Sequence, residues 1–462
     1  MAENKAIPTE LGSEKINKLL LNYAGPAIIA MTASSLYNMV DSIFIGHGVG
    51  PLAISGLAIT FPLMNLSTAF GTFVGVGAST MLSVFLGQKN YDAAGKVLGN
   101  IVTLNTLIGF LFMAVFLIFL DPVLYFFGAS ESTLPYAREY MQIILAGNII
   151  THLYFGLNNA LRASGNPKLA MSLTIFTVVL NTILDPLFIF VFDLGIKGAA
   201  IATVISQAAA LYIVFRFFND RKRFLHFEKG IFKLDIRIAK DSLAIGVAPF
   251  LMNSAACLVT LIINQQLKSY SGDLAIGAYG IANRISFLFV MVTMGLNQGM
   301  QPIAGYNYGA RQYSRVREVF KATVICATIV TTLGFALSEF LPHATVSLFT
   351  HDEELASLSG RGLQIMNLLF PIVGFQIVTS NLFLCLGMAN KSIILSISRQ
   401  ILFLIPLLYI LPMFFGDKGI WISFPVSDIM AFVVTVFVLT GTMKTFGKLK
   451  DGDDPSSLGS KL

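Results

Sequence analysis

Long continuous apolar runs, separated by short polar segments, dominate the chain. Each run is about as long as a tilted transmembrane helix, which needs about 20 predominantly apolar residues. Hydrophobic and polar positions do not alternate within the runs, so membrane-spanning strands are a poor interpretation. The pattern predicts an all-α polytopic membrane protein with twelve transmembrane helices. They lie near 19–45, 52–84, 97–120, 136–160, 169–192 and 198–215, and then near 242–267, 274–304, 319–341, 362–386, 392–415 and 419–443.

The composition agrees with this pattern. Of 462 residues, 55% are hydrophobic and 12% are charged, whereas a soluble domain carries about 25% charged residues. So few charges cannot coat a soluble protein of this length, which excludes an ordinary cytosolic enzyme. Three cysteines, far apart within apolar runs, predict neither a disulfide framework nor a cysteine-based metal site.

The distribution of lysine and arginine sets the predicted topology. With twelve spans, both termini lie on the same side, and 24 of the 31 basic residues fall on that side. Only five fall on the opposite side, and the other two, Arg284 and Arg399, lie within apolar runs. This asymmetry is a strong positive-inside signal, so we expect both termini to be cytoplasmic in the plasma (cytoplasmic or inner) membrane.

The two halves of the chain are internally related. A shift of 221–223 residues brings landmarks of the first half onto the second, among them Pro26 onto Pro249, Gly87 onto Gly309 and Gly165 onto Gly387. Six helices per half make the repeats parallel, as two six-helix bundles related by duplication. The predicted organisation is a cytoplasmic N-terminus (1–18), an N-lobe (19–215), a cytoplasmic linker (216–241), a C-lobe (242–443) and a cytoplasmic tail (444–462).

Duplicated bundles of this kind are typical of secondary transporters. The chain has no phosphate-binding loop for ATP, and Gly71, Gly75 and Gly77 lie in an apolar run where glycines allow close helix packing. We therefore expect an ion gradient to supply the energy and no cofactor. An intramembrane enzyme is disfavoured because neither a nucleophile–base pair nor a His/Asp metal cluster is evident.

Acidic residues within spans of the first half are the candidate chemistry. An ionised aspartate at mid-bilayer costs roughly 3 kcal/mol on insertion scales, so Asp41 and Asp185 need a reason. Tyr37 lies one turn before Asp41, Asn181 one turn before Asp185, and Thr203 in the next helix. Such an oxygen-rich cluster suits a hard cation or a proton. Alternatively, Asp41 is a solvated residue near the outer loop, and Asn181 and Thr203 only join helices.

The second half offers a different set. Asp428 lies in the last span, and the natural partners for its charge are Arg284 and Arg399. A buried pair of this kind would be structural, whereas ion coupling at Asp428 is the alternative. We keep these three residues as an uncertain C-lobe set.

Four strings carry a family resemblance. They are LYNMVDSIFIG at 36–46, GQKNYDAAGK at 87–96, LRASGNPK at 161–168 and GARQYSRVRE at 309–318. Together with the duplicated halves they resemble the multidrug and toxic compound extrusion (MATE) transporters, over essentially residues 15–443.

The resemblance implies export of amphipathic, often cationic, drugs by antiport with H+ or Na+. In the DinF-like prokaryotic branch the coupling site lies in the N-lobe, which implies coupling at Asp41 and Asp185 with Tyr37, Asn181 and Thr203. A Na+ ion would be held by Asp41, Asn181, Asp185 and Thr203, and Tyr140 and Asn158 would extend the network or contact substrate. The NorM-like C-lobe site is disfavoured, because this chain has Asn264 and Gln265 on helix 7 and no acid on helix 10.

The expected partners are a small-molecule drug or organic cation and the lipid bilayer, with no nucleic acid. We expect a functional monomer. The alternative function is a lipid-linked oligosaccharide flippase of the same superfamily, which would favour a strongly cationic cavity. Only Arg284 and Arg399 are candidates for such a cavity.

Overall fold

A computed structural model of the protein describes residues 9–49, 51–228, 230, 232–349 and 352–454, and every regular element in these ranges is helical. Within the helices, the side chains of residues 36–43, 46, 47, 51, 54, 273 and 445 lie outside that description. The long helices α1 to α6 are Ile16–Gly48, Pro51–Gly87, Tyr91–Ile118, Leu134–Ala146 with Asn148–Ala163, Pro167–Val191 and Ile196–Asn219. Helices α7 to α12 are Ile236–Ser271, Asp273–Gly309, Tyr313–Phe340, Glu353–Met366 with Phe370–Cys385, Ala389–Phe415 and Asp417–Phe446.

These helices match the predicted spans. Among the described residues, nine helices are long and apolar enough to cross a membrane, and two further spans each consist of a bent pair of helices. They correspond to the eleven predicted runs from 52–84 onward. The first predicted run, 19–45, lies within α1. The all-α polytopic architecture is therefore confirmed.

Two spans predicted as continuous helices are broken. The two parts of α4 meet at 54° and those of α10 at 55°. Gly147 separates the parts of α4, and a Cβ on it would lie 2.5 Å from Cγ2 of Val204 on α6. In α10 the break ends just before Pro371 in the first turn of the second part, where proline is well tolerated. The runs of apolar residues hide these bends because both arms are equally hydrophobic.

The internal duplication is visible in the backbone. Pairs of residues 221 or 222 positions apart share the left-handed conformation, which side chains rarely adopt. The pairs and their φ angles are Lys89 (58°) with Arg311 (57°), Gly165 (90°) with Gly387 (67°), and Gly195 (56°) with Gly416 (59°). Each pair ends or begins corresponding helices, so the two halves turn at the same points.

The chain divides into two compact units. One comprises residues up to Ser13 and Ile29–Phe250, and the other comprises Glu14–Ile28 and the chain from Leu251 onward. These boundaries differ from the predicted lobes in two places. The first part of α1 belongs to the second unit, and the first part of α7 belongs to the first unit.

Each unit has an apolar core of its own. In the first unit, buried Leu63, Phe112, Tyr140 and Ile189 belong to one cluster. In the second unit the corresponding cluster includes the single tryptophan, Trp421. A Cβ on Gly362 would lie 2.5 Å from the Trp421 ring, so glycine is needed where the ring packs on α10.

The segment after α12 docks on the loop between α8 and α9 in the same unit. Asp451 accepts from the Ser314 hydroxyl at 2.5 Å and from the Ser314 backbone N–H at 2.9 Å. Gly452 N donates to Arg311 O at 2.9 Å, and Tyr313 Oη donates to Asp453 O at 2.8 Å. The hydrogen bonds from Ser314 lower the pKa of Asp451 below its ordinary 3.8. The contact is therefore fully formed at neutral pH and weakens only as the pH falls through that lowered pKa.

Helices α2 and α7 approach most closely at two glycines of the first unit. A Cβ on Gly77 would collide with the carbonyl oxygen of Ser242, and a Cβ on Gly246 would collide with that of Phe73. Backbone atoms on both sides leave no flexible neighbour to move. This confirms the packing role expected for Gly77.

We predict that Gly77→Ala and Gly246→Ala each destabilise the protein by about 1–3 kcal/mol, the usual cost of overpacking. The matched control is Gly280→Ala on α8, where nothing lies within 4 Å of the added Cβ. That control should be neutral or slightly stabilising because alanine favours helix. Apparent melting temperatures of the purified protein in detergent check this. Equal melting temperatures for all three variants would contradict the close packing of α2 and α7.

Candidate functional site

Asp185 lies at the end of the regular part of α5 and is fully buried. Pro186 follows it and has no backbone N–H, so the carbonyl one turn earlier loses its helical donor. Directly afterwards, Leu187–Val191 adopts a π-helical turn. Such turns frequently occur at functional sites. The local sequence thus places an acidic side chain at an irregular point of a membrane-spanning helix.

Asn181 and Thr203 surround this carboxylate. Asn181 is 2% exposed, and its amide fits its neighbours with the nitrogen turned toward Asp185. In that orientation Nδ2 donates to Asp185 Oδ2 at 2.8 Å, while Oδ1 accepts from Thr203 N at 2.9 Å and from Thr203 Oγ1 at 3.2 Å. The structure therefore brings together three of the residues that the sequence singled out, from α5 and α6.

Tyr37 and Asp41 belong to α1, but their side chains lie outside the described part of the structure. The geometry of the cluster on that side is accordingly carried by Asp185, Asn181 and Thr203.

Tyr140 and Asn158 occupy separate places in the first unit. Tyr140 is fully buried in the apolar core. Asn158 donates to Ala170 O at 3.1 Å and accepts from Arg162 Nη2 at 3.2 Å. Ala170 lies eleven residues before Asn181 on α5, about 16 Å along the helix axis. Asn158 therefore joins α4 to the beginning of α5, far from Asp185.

The uncertain set of the second half resolves into one ion pair. Arg399 Nε lies 2.6 Å from Asp428 Oδ1, and the carboxylate is 2% exposed. Gln376 Nε2 donates to the backbone carbonyl of Asp428 at 2.8 Å. Arg399 belongs to the π-helical segment Ser398–Leu404 of α11. Arg284 is exposed and makes no ion pair with Asp428. The pair neutralises both buried charges, which matches the structural interpretation.

Two buried hydrogen bonds that the sequence analysis did not identify mark the broken helices. Ser67 Oγ donates to Asn148 Oδ1 at the break of α4. Ser286 Oγ donates to Asn367 Oδ1 at 3.0 Å at the break of α10. Each pair spans 81 residues, and the two pairs are 219 residues apart. Aligning the two halves for shared Ser and Asn positions would have revealed them.

The single histidine within a span is part of the same network. His152 is fully buried, and its Nε2 lies 2.9 Å from Ser67 O. It also packs beside the Phe112 ring. His152 is therefore a packed, hydrogen-bonded residue of the α2–α4 contact.

Comparison with known proteins gives consistent results. The family model MatE matches residues 26–187 and 248–410, once in each half. The MATE multidrug transporter DinF-BH, whose structure was solved in complex with a drug, is 38% identical, with a TM-score of 0.88 over 94% of this chain and 98% of that one. The multidrug export protein MepA of Staphylococcus haemolyticus is 26% identical over 424 residues, 92% of this chain and 93% of that protein.

A further solved structure supports the fold alone. It is an outward-facing multidrug resistance MATE family transporter of the MOP superfamily, 24% identical, with a TM-score of 0.90 over 97% of this chain. The family model covers well over half of the sequence and repeats with the internal duplication. The chain belongs to the MATE family.

Proposed function

We propose that the protein exports amphipathic cationic small molecules by antiport with H+ or Na+, and that Asp41 and Asp185 carry the coupling. The observation behind the proposal is the fully buried carboxylate of Asp185, held by Asn181 inside a membrane-spanning helix. The names of related proteins support the substrate class, since DinF-BH is a multidrug transporter solved with a bound drug and MepA is a multidrug export protein.

The buried carboxylate is a means of coupling because its charge must be matched. An ionised aspartate in hydrocarbon costs roughly 3 kcal/mol, so binding a proton or a cation stabilises the closed, dry site. A cationic substrate compensates for the same charge when the ion leaves. Ion and substrate therefore compete for one negative charge, which is the requirement for antiport.

Asn181 offers a way for the site to register its load. With the amide nitrogen toward Asp185, it donates a hydrogen bond to the carboxylate. With the amide turned over, two oxygens would face each other, an arrangement that suits a bound Na+. The two orientations also change what Thr203 receives, so loading reaches α6 through one side chain.

The energy of one coupling ion suffices for this cycle. Emptying the carboxylates admits a cationic substrate from the cytoplasm, and reloading them from outside expels it. One elementary charge crossing the membrane supplies about 2.3 kcal/mol per 100 mV. The distribution of lysine and arginine supports cytoplasmic termini, which sets the direction of export.

The flippase alternative receives less support. A binding site for a pyrophosphate-linked sugar needs uncompensated positive charge, but Arg399 is neutralised by Asp428. That leaves Arg284 as the one candidate of the original two.

We predict that Asp185→Asn and Asp41→Asn abolish drug efflux without lowering expression or melting temperature. Each removes the charge for which ion and substrate compete while keeping the size of the side chain. The matched control is Asp193→Asn, an exposed residue just beyond the π-helical turn of α5, which should retain efflux. Drug resistance of cells carrying each variant provides the measurement. Full resistance in Asp185→Asn would contradict the proposal.

We also predict that purified protein in proteoliposomes transports a fluorescent cation in response to an imposed pH gradient or an imposed Na+ gradient. The two gradients are tested separately, since the carboxylate responds to whichever ion loads it. Asp185→Asn should lose that response, and Asp193→Asn should keep it. Transport driven by neither gradient, or equal transport by both variants, would refute ion coupling at this site.

A further inference from the structure

A cavity of about 640 Å³ lies at the end of α6, against the linker that leads to α7. It is distinct from the Asp185 cluster, and its volume is typical of small-molecule sites. Its aromatic walls come from Tyr212, Phe215, Phe227 and Phe232, and Arg216 and Arg221 add two cationic groups. The whole cavity belongs to the first unit.

The aromatic side chains form a continuous wall. The ring centroids of Phe215 and Phe227 are 5.6 Å apart, and those of Phe227 and Phe232 are 5.4 Å apart. Tyr212 remains 65% exposed and Phe232 remains 47% exposed, although both line the cavity. This apolar surface thus lacks a covering group within the described chain.

The two arginines of the cavity have no ion pair in the described part of the protein. Their neighbour Arg223, by contrast, lies 3.6 Å from Asp220 and stacks 3.7 Å from the Phe217 ring centre. Glu228, the acidic residue of the lining, is 3.8 Å from His226. Positive charge at Arg216 and Arg221 is therefore available to an anion.

Hydrogen bonds fix the linker on both sides of the cavity. Phe227 N donates to Phe218 O of α6 at 2.7 Å. Thr103 Oγ1 of α3 donates to Phe232 O at 2.9 Å. Asn100 and Asp235 exchange two hydrogen bonds, at 2.9 and 3.1 Å. Because the walls are held in place beforehand, a ligand would not have to order them.

The surroundings locate the cavity at the membrane interface. Large apolar side chains beside it, Phe232, Leu234 and Ile236, are exposed, with Ile236 at 64%. Eight of the lysines and arginines lie between residues 216 and 240. Exposed aromatic and apolar groups next to clustered basic residues are typical of the headgroup level of the cytoplasmic leaflet, which is rich in anionic lipid.

We propose that this cavity binds an anionic phospholipid of the cytoplasmic leaflet. The headgroup phosphate pairs with Arg216 and Arg221, and an acyl chain lies along Tyr212, Phe215 and Phe232. The lipid thereby covers the exposed aromatic wall and links the end of α6 to the linker. The full site needs both an anion and an apolar chain, which a free phosphate does not offer.

The test uses a Phe232→Trp reporter in the full-length protein, reconstituted in phosphatidylcholine bilayers. Brominated lipids quench nearby tryptophan, and the contribution of Trp421 is subtracted with the parent chain. We expect brominated phosphatidylglycerol to quench the reporter several-fold more effectively than the same fraction of brominated phosphatidylcholine. Equal quenching by the two lipids would overturn the proposal.

Paired charge variants of the reporter separate a site from general attraction. Arg216→Ala with Arg221→Ala should remove the preference for phosphatidylglycerol. Lys233→Ala with Arg237→Ala removes the same charge from exposed positions of the linker and should keep the preference. Equal loss in both pairs would show diffuse attraction only, which overturns a defined site. Reversal of the preference by inorganic phosphate would assign the cavity to a free anion, which also overturns the proposal.

Discussion

A carboxylate sealed inside a membrane-spanning helix bundle must always be matched by a proton, a cation or a hydrogen-bond donor. Asp185 is fully buried, and Asn181 supplies one donor at 2.8 Å. The proline and the π-helical turn that follow give α5 an irregular end where the match can change. The proposed transport cycle depends on this one requirement for charge balance, which links ion loading to the state of the first unit.

The duplication gives the two halves the same frame but different charge chemistry. Both halves share a broken fourth helix, a buried Ser–Asn hydrogen bond at the break and left-handed residues at equivalent turns. In the second half, however, the buried acid Asp428 is neutralised by Arg399. One half is therefore suited to exchange an ion, whereas the other keeps a fixed internal pair.

Most of the fold followed from the sequence, because lipid imposes a minimum length on each apolar run and the duplication repeats every landmark. The contact of Asn181 with Asp185 followed from helical spacing. The bends of α4 and α10, and the exchange of the first parts of α1 and α7 between units, did not, since they depend on packing between distant segments. Asn158 likewise joins α4 to α5, a role that depends on helix rotation.

The most direct test of charge matching at Asp185 is to count ions released when substrate binds. A lipophilic cationic dye is added to the purified protein in weakly buffered detergent, while protons are followed with an indicator and Na+ with a selective electrode. Release of one of these ions in proportion to bound dye, absent in Asp185→Asn, is the predicted result. Dye binding without release of either ion, or equal release from Asp185→Asn, would contradict the account.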